Sequence, residues 1–460
     1  MRLTFAGGAR MVTGTCFHLR SGEVQLLVDC GMQQGDHADE LNRVAFPFAP
    51  QEIDALFLTH AHIDHAGLLP RLVKEGFSGP IITTAATADL AEIMLYDSAH
   101  IQVSDAEWFS KKALTAGAAI TFTPLYTPDD VARAVGLFQR TTYGKIERIG
   151  KNVRYRFLDA GHILGSGTLE LWYQDSPVER KIVFSGDIGK KGSPIVRDPQ
   201  PTEEADYVVM ESTYGNRLHK NMEESIDELV EAITTTLHRG GNVLIPSFAV
   251  GRTQDLLYTL NRLVGEGRLK RLDVYVDSPL AAEATRVYLA HPDYFDEESL
   301  QQLQRGADRA LSLHFTTTVE ESMKLNSLRS GAVIIAGSGM CDGGRIRHHL
   351  KHNLGRPECS VIFVGFQARG TLGREIVEGA RSVRIFGEDI AVRARIHTIG
   401  GFSAHADRQG LLEWLGAFAT SPEVFIVHGE EEVSLDFKAA VEERFGFVTH
   451  VPYKGQSFTI

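Results

Sequence analysis

Residues 55–65 read Ala55-Leu56-Phe57-Leu58-Thr59-His60-Ala61-His62-Ile63-Asp64-His65. The four apolar residues that open the stretch predict a short buried strand, and the polar run after them predicts a loop at its carboxyl end. Three imidazoles and one carboxylate then fall between His60 and His65. At a strand's end, such a run can bring several ligands around one point. Imidazole and carboxylate donors suit zinc, and they suit iron and manganese as well; the absence of thiolates leaves the metal open.

One segment cannot complete two coordination shells. Further ligands are sought at the ends of other strands, and three have that placement. His162 lies in Asp159-Ala160-Gly161-His162-Ile163-Leu164-Gly165-Ser166, Asp187 in Phe184-Ser185-Gly186-Asp187-Ile188-Gly189, and His428 between Val424–Val427 and Gly429-Glu430. Small flanking residues let a backbone turn sharply and approach closely. Each alone reads equally well as a turn residue; their shared placement joins them to the first motif.

Around these motifs the first half alternates β-rich runs with loops: Leu3–Ala6, Val24–Cys30, Pro80–Thr83, Arg154–Leu158, Leu169–Tyr173 and Lys181–Ser185, with one clear helix over Ala86–His100. From about Met222 the rhythm becomes helix-strand alternation. Glu224–His238 and Arg252–Val264 read as helices, and Gly241–Pro246, Asp273–Val276, Ala332–Ala336 and Ser360–Val364 as strands. That alternation predicts an α/β unit with a parallel sheet flanked by helices. Arg393–Ile460 returns to the first style, so one domain is expected to be inserted into another. A length of 460 residues agrees with more than one core.

No apolar run reaches the ~18 residues a membrane span needs, and the N-terminus lacks the apolar core of a signal peptide. Cys16, Cys30, Cys341 and Cys359 lie far apart without paired spacing and read as reduced thiols of a cytoplasmic protein. A net charge of −12 argues against a broad electrostatic grip on nucleic acid, although bound divalent cations would reverse the sign at the site.

The order Asp29, His60–His65, His162, Asp187 and His428 resembles the metallo-β-lactamase superfamily. Within it, Glu211-Ser212-Thr213-Tyr214-Gly215, Pro246-Ser247-Phe248-Ala249-Val250-Gly251-Arg252, Gly337-Ser338-Gly339-Met340, Phe402-Ser403-Ala404-His405 and Val427-His428-Gly429-Glu430 resemble the β-CASP nucleases, the group of the nuclease subunit of the cleavage and polyadenylation specificity factor. The resemblance covers essentially the whole chain. It implies an αββα metallo-β-lactamase sandwich over 1–212 and 396–460, with a β-CASP domain inserted over 213–395. It implies two zinc ions per chain, one held by His60, His62 and His162, the other by Asp64, His65 and His428, with Asp187 between them. Asp29 takes the place of a carboxylate that orients the ligands.

Two cations about 3.5–4 Å apart share a water, lower its pKa and offset charge on a phosphodiester. The resemblance makes His405 the general acid for the leaving oxygen and Glu211 its orienting carboxylate, with Asp64 and Asp187 as catalytic carboxylates. Ser247, Arg252, Ser338, Gly339, Met340, Arg369 and Thr371 lie in small or basic turns suited to phosphate. The expected substrate is single-stranded RNA, cut internally and also from the 5′ end; similar proteins dimerise. A small-molecule hydrolase of thioesters or lactones and an idle RNA-binding scaffold are the competing readings. The first leaves the inserted domain without a purpose, and the second predicts damaged ligands that this chain does not have.

Overall fold

The computed structural model describes residues 1–460 apart from 36, 119, 176–177, 305–310, 366 and 369, with the backbone alone at 175, 303 and 304. The chain forms two compact units. One comprises Met1–Gly192, Arg197–Leu218 and His405–Ile460, and the other Ser193–Val196 and His219–Ala404.

In the first unit, among the described residues, two seven-stranded sheets face each other. One runs in the order Ser457–Thr459, Arg2–Gly7, Cys16–Ser21, Val24–Val28, Ala55–Phe57, Ile81–Thr84 and Phe138–Thr141. The other runs Thr449–His450, Glu423–Val427, Tyr207–Glu211, Val178–Phe184, Gly167–Asp175, Val153–Asp159 and Glu147–Ile149. Successive strand residues point to opposite faces, and the burial follows that rule. Val209 and Val427 join Phe5, Phe17, Phe57 and Phe184 between the sheets. Their neighbours Val208 and Ile426 point outward, under Leu411 and Trp414 of the helix Arg408–Leu415 and Phe437 of the helix Glu431–Phe445. Helices Leu69–Lys74, Ala85–Thr115 and Pro128–Val135 pack together on the first sheet's side. The result is the αββα layering expected from the resemblance.

The strands Val24–Val28, Ala55–Phe57 and Ile81–Thr84 are parallel, as are Val178–Phe184, Tyr207–Glu211 and Glu423–Val427. Their carboxyl ends therefore lie along one edge of each sheet, where every loop named as a ligand source begins. The long helix departs from the sequence reading. It runs 31 residues to Thr115 instead of stopping at His100, because its second half is mostly exposed and shows no apolar stripe to read.

The second unit holds a six-stranded sheet in the order Ser312–Phe315, Asp273–Asp277, Ala332–Ala336, Val243–Pro246, Ser360–Phe363 and Arg395–Thr398, with all neighbours parallel. Parallel sheets need cover on both faces. Val243 and Ile245 pack under the helices Met222–His238 and Arg252–Gly265, while Leu244 packs under Ile346–Asn353 and Leu372–Val377. No helix of the described residues is long and apolar enough to cross a membrane.

Candidate metal centre

Each candidate ligand sits just beyond a strand of the first unit. His60 and His62 follow Ala55–Phe57, Asp64 and His65 open the short helix Ile63–Ala66, His162 follows Val153–Asp159, Asp187 follows Val178–Phe184, and His428 follows Glu423–Val427. Two close backbone approaches hold these loops together. A Cβ on Gly31 would stand 1.6 Å from the Asp64 carbonyl oxygen, and one on Gly189 1.7 Å from that of Gly161. Only glycine permits either contact. Asp29 and His428 are themselves left-handed, with φ of 59° and 47°. Non-glycine residues carry that strain mainly where surrounding structure fixes them, often at functional sites.

The side chains converge in two groups. Ligand atoms of His60, His62, His162 and Asp187 lie within 4.8 Å of one another, and so do those of Asp64, His65 and His428. Asp187 faces both groups. Its Oδ2 is 3.4 Å from His60 Nε2 and 3.5 Å from His162 Nε2, while its Oδ1 is 3.3 Å from His65 Nε2. His428 Nε2 lies 3.4 Å from Asp64 Oδ2. His60, His65, His162, Asp187 and His428 are buried, whereas the Asp64 side chain keeps 18% of its exposure and that of His405 20%, so the site opens to solvent on their side.

Hydrogen bonds behind the rings set which nitrogen faces inward. Asp29 Oδ2 accepts from the Thr59 hydroxyl and from His65 Nδ1, each at 2.8 Å, and Asp29 Oδ1 accepts from the Thr59 backbone N–H. With its proton given to Asp29, Thr59 Oγ1 accepts from His60 Nδ1 at 3.1 Å. Thr213 does the same for His428: its hydroxyl donates to the His428 carbonyl and accepts from Nδ1, both at 3.1 Å. These bonds engage Nδ1 of His60, His65 and His428 and turn Nε2 toward the centre, the nitrogen a bound metal would take in place of a proton. At His65 burial acts downward, but Asp187 and Asp29 hold the ring well above the ordinary imidazole range. Sequence reasoning found Asp29 but missed Thr59 and Thr213. Their only signal was adjacency to His60 and membership of Glu211-Ser212-Thr213.

The donor set fits divalent cations. His60 Nε2 and His162 Nε2 lie 3.1 and 3.2 Å from His62 Nδ1, and His65 Nε2 lies 3.1 Å from His428 Nε2. Converging imidazole lone pairs repel unless a proton or a cation lies among them. Burial pushes His60 down to about 3 and His62 to about 4, and it holds His162 well below the usual range, so these rings are neutral near pH 7. Asp187 Oδ1 is buried without a hydrogen-bond donor among the described residues. For Asp187 burial acts upward, but His428, His65 and His60 outweigh it and keep the carboxylate ionised.

Beside this cluster, His405 Nδ1 is 3.2 Å from both oxygens of Glu211. Burial lowers its pKa, but Glu211, with Asp187 and Asp64, pushes it up to about 9. Glu211 Oε1 also accepts from the Ile188 backbone N–H at 2.6 Å, and Ala406 N–H donates to the Ile188 carbonyl at 2.7 Å, so one short segment positions both partners. Glu211 has a second placement that the sequence did not reveal: its carboxylate also lies within ligand distance of Asp187 and His428.

In the second unit the small-residue turns assemble at the carboxyl ends of two adjacent parallel strands. Ser247 N–H donates to the Ala336 carbonyl at 3.0 Å, which sets the Ser247–Arg252 turn beside the Gly337–Gly344 turn. Gln367 Nε2 donates to the Gly339 carbonyl and Gly373 N–H to that of Met340, each at 3.0 Å. Ligands of open α/β sheets bind at this edge. Arg252 lies 3.8 Å from Asp255. The Thr371 hydroxyl caps its own helix, accepting from Arg374 N–H and donating to the Ala368 carbonyl. Arg369 lies outside the described residues.

Three family models match the chain: the metallo-β-lactamase superfamily over 10–136, the Beta-Casp domain over 253–376 and a Zn-dependent metallo-hydrolase RNA specificity domain over 389–452. Ribonuclease TTHA0252 of Thermus thermophilus is 40% identical over 434 residues, covering 94% of each chain. Transcription termination factor FttA of Thermococcus kodakarensis is 33% identical, covering 98% of this chain and 70% of its own. A solved structure of a protein of unknown function from Enterococcus faecalis superposes with a TM-score of 0.57 at 12% identity, over 100% of this chain and 99% of that one, a likeness of fold alone.

Proposed function

This chain belongs to the β-CASP ribonuclease group of the metallo-β-lactamase superfamily, and on that premise we propose that it is a zinc-dependent ribonuclease that hydrolyses single-stranded RNA in RNA processing or decay. Its domains are 1–212 with 396–460, and the inserted 213–395. It works in the cytoplasm as a homodimer. Cleavage is endonucleolytic, with 5′-to-3′ trimming as a second mode, and leaves a 5′-phosphate and a 3′-hydroxyl.

His60, His62 and His162 would hold one zinc ion and Asp64, His65 and His428 the other, with Asp187 between the two groups. Bound there, the pair supplies Lewis acidity and a water of lowered pKa. The protein's own residues do the rest. Asp29, Thr59 and Thr213 hold the imidazoles in the ligating tautomer. Glu211 accepts from His405 Nδ1, which leaves Nε2 to carry the proton that the departing 3′-oxygen needs. Ser247, Arg252, Ser338, Gly339, Met340, Arg369 and Thr371 are the proposed contacts to the RNA backbone.

The observation that carries this reading is the pairing of His405 with Glu211 beside the ligand cluster, with both oxygens at 3.2 Å. The 3′-oxygen released when a phosphodiester P–O bond breaks departs as an alkoxide and needs a proton donor. The name of the Thermus relative, matched over nearly its full length, supports RNA as the substrate.

The test uses end-labelled single-stranded RNA, metal-replete protein, and the Asp187→Ala and His405→Ala variants. Wild type should give internal fragments, with both variants severely impaired. Absence of cleavage by metal-replete wild type refutes the reading, and undiminished cleavage by Asp187→Ala identifies a contaminant.

A further inference from the structure

We infer that the first unit carries a nucleobase subsite outside the metal centre, walled by Arg10 and Tyr453. This inference rests on the ribonuclease reading and names where a base of the bound strand is held. A cavity of about 240 Å³ opens between the loop after the first strand, the helix Glu431–Phe445 and the turn at Tyr453–Gln456. Arg10, Lys438, His450, Tyr453, Gln456 and Phe458 are among its lining residues.

The wall is held in place before any ligand arrives. Arg10 adopts a left-handed backbone with φ of 58°. Its guanidinium bonds to Glu431 and to the Val451 carbonyl, and it lies 3.5 Å from the centre of the Tyr453 ring. The turn carrying Tyr453 is pinned to the first strand: Gly455 N–H donates to the Phe5 carbonyl at 2.7 Å and Phe5 N–H to that of Gln456 at 3.0 Å. Tyr453 nevertheless remains 59% exposed. A fixed aromatic ring, backed by a cation and open to solvent, is what stacks an unpaired base at little ordering cost.

The charges select the ligand. Each permanently charged cation at the cavity already has a partner: Arg10 has Glu431, and Lys438 has Glu442 at 3.0 Å and the Thr449 carbonyl at 2.6 Å, while His450 Nε2 lies 2.8 Å from Glu423 Oε1. With its positive charge matched by carboxylates, the cavity suits a flat, uncharged ring better than a phosphate. Its distance from the chemistry is short. His428 N–H donates to the Gly8 carbonyl at 2.7 Å, and Arg10 stands two residues further along, a reach of at most about 7 Å between those Cα atoms. Glu431 likewise follows His428 by three positions. One strand of RNA can span both places.

The test measures steady-state cleavage of a long single-stranded oligoribonucleotide by metal-replete protein. Tyr453→Ala should raise KM roughly 5- to 150-fold with kcat retained, the range that stacking one base supplies. Tyr453→Phe should stay near wild type, as should Val448→Ser, which alters an exposed residue that does not line the cavity. The dependence of KM on salt should keep its slope in Tyr453→Ala, because no phosphate contact is lost. An unchanged KM in Tyr453→Ala overturns the inference, as does a reduced salt slope, which would mark an anion site. An equal loss in Tyr453→Phe also overturns it, since the ring is then not what binds. Wild type that cleaves no RNA instead defeats the ribonuclease reading beneath it, a distinct result.

Discussion

Replacing Asp277 by alanine removes an acceptor that four donors share at the end of a central strand in the second unit. Asp277 is fully buried and takes hydrogen bonds from the Thr316 and Ser322 hydroxyls and from His349 Nε2, each at 2.6 Å, and from Arg345 at 2.7 Å. Burial acts to raise its pKa, but bonds from His349, Ser322, Thr316 and Arg345 outweigh it and hold the carboxyl well below the ordinary range. Without the carboxylate, Arg345 keeps the Thr316 and Thr317 carbonyls, whereas His349, whose Nδ1 has no partner among the described residues, loses its bond at Nε2. Breaking a buried charged pair from one side costs ~3–5 kcal/mol. Because Arg345 is partly rescued, the lower half of that range is expected.

The assay must report on the second unit. Trp108, Trp172 and Trp414 all belong to the first, so tryptophan emission reports on that unit. Hydrogen exchange of the helix Ile346–Asn353, followed by mass spectrometry, reads the loss directly. A cost of ~3 kcal/mol lowers protection there by roughly 10²-fold. Asp277→Asn, which keeps one acceptor oxygen, should lose less. The lowered pKa also sets a pH dependence. The stability Asp277 contributes is present above the unfolded carboxyl pKa near ~3.9 and falls away as the pH drops toward the lower folded value. Unchanged protection in Asp277→Ala, or an equal loss in Asp277→Asn, would refute the reasoning.

His405→Ala should lower kcat by about 10²- to 10⁴-fold, the usual contribution of a general acid, while fluorescence anisotropy shows RNA still bound. Thr59→Val removes the hydroxyl that links Asp29 to His60 and should weaken metal binding about 10- to 100-fold in competition with a chelator, with Thr59→Ser restoring it. Asp255 responds to pH in the opposite sense from Asp277. Burial, opposed by Arg252, pushes it up to about 7, so its contribution is complete below the unfolded pKa and is lost as pH rises through 7. Thermal unfolding should therefore show lower stability at about pH 8 than at about pH 6, and Asp255→Asn should flatten the difference.

The clustered histidines and aspartates were legible because their chemistry is packed into short motifs, each just after an apolar run that declares itself a strand. Thr59 and Thr213 were not, because a hydroxyl's function depends on the ring it meets, and Thr213 meets one 215 positions away. The helix to Thr115 and the edge strand Phe138–Thr141 were missed for a related reason: both are largely exposed, and exposure erases the periodicity on which sequence reading relies. Asp277 gave no signal at all. Its partners run from Thr316 to His349, 39 to 72 positions further along, and nothing local marks an aspartate as the hub of four donors. Thr371, placed in a loop suited to phosphate, also has a hydroxyl that closes a helix end.

The contact between His65 and His428 joins residues 363 positions apart, and that separation is also an interval of time. At ~5–20 residues per second, a ribosome needs roughly 20–70 s to travel from one histidine to the other. Throughout that interval the growing polypeptide can assemble His60, His62 and later His162, but it has no His428 to complete the second group. The growing chain therefore passes through a stage in which one group of side chains can gather and the other cannot. On the proposed ligand set, the order of residues along the chain is therefore also the order in which the two groups of the site can form, and the second waits for His428.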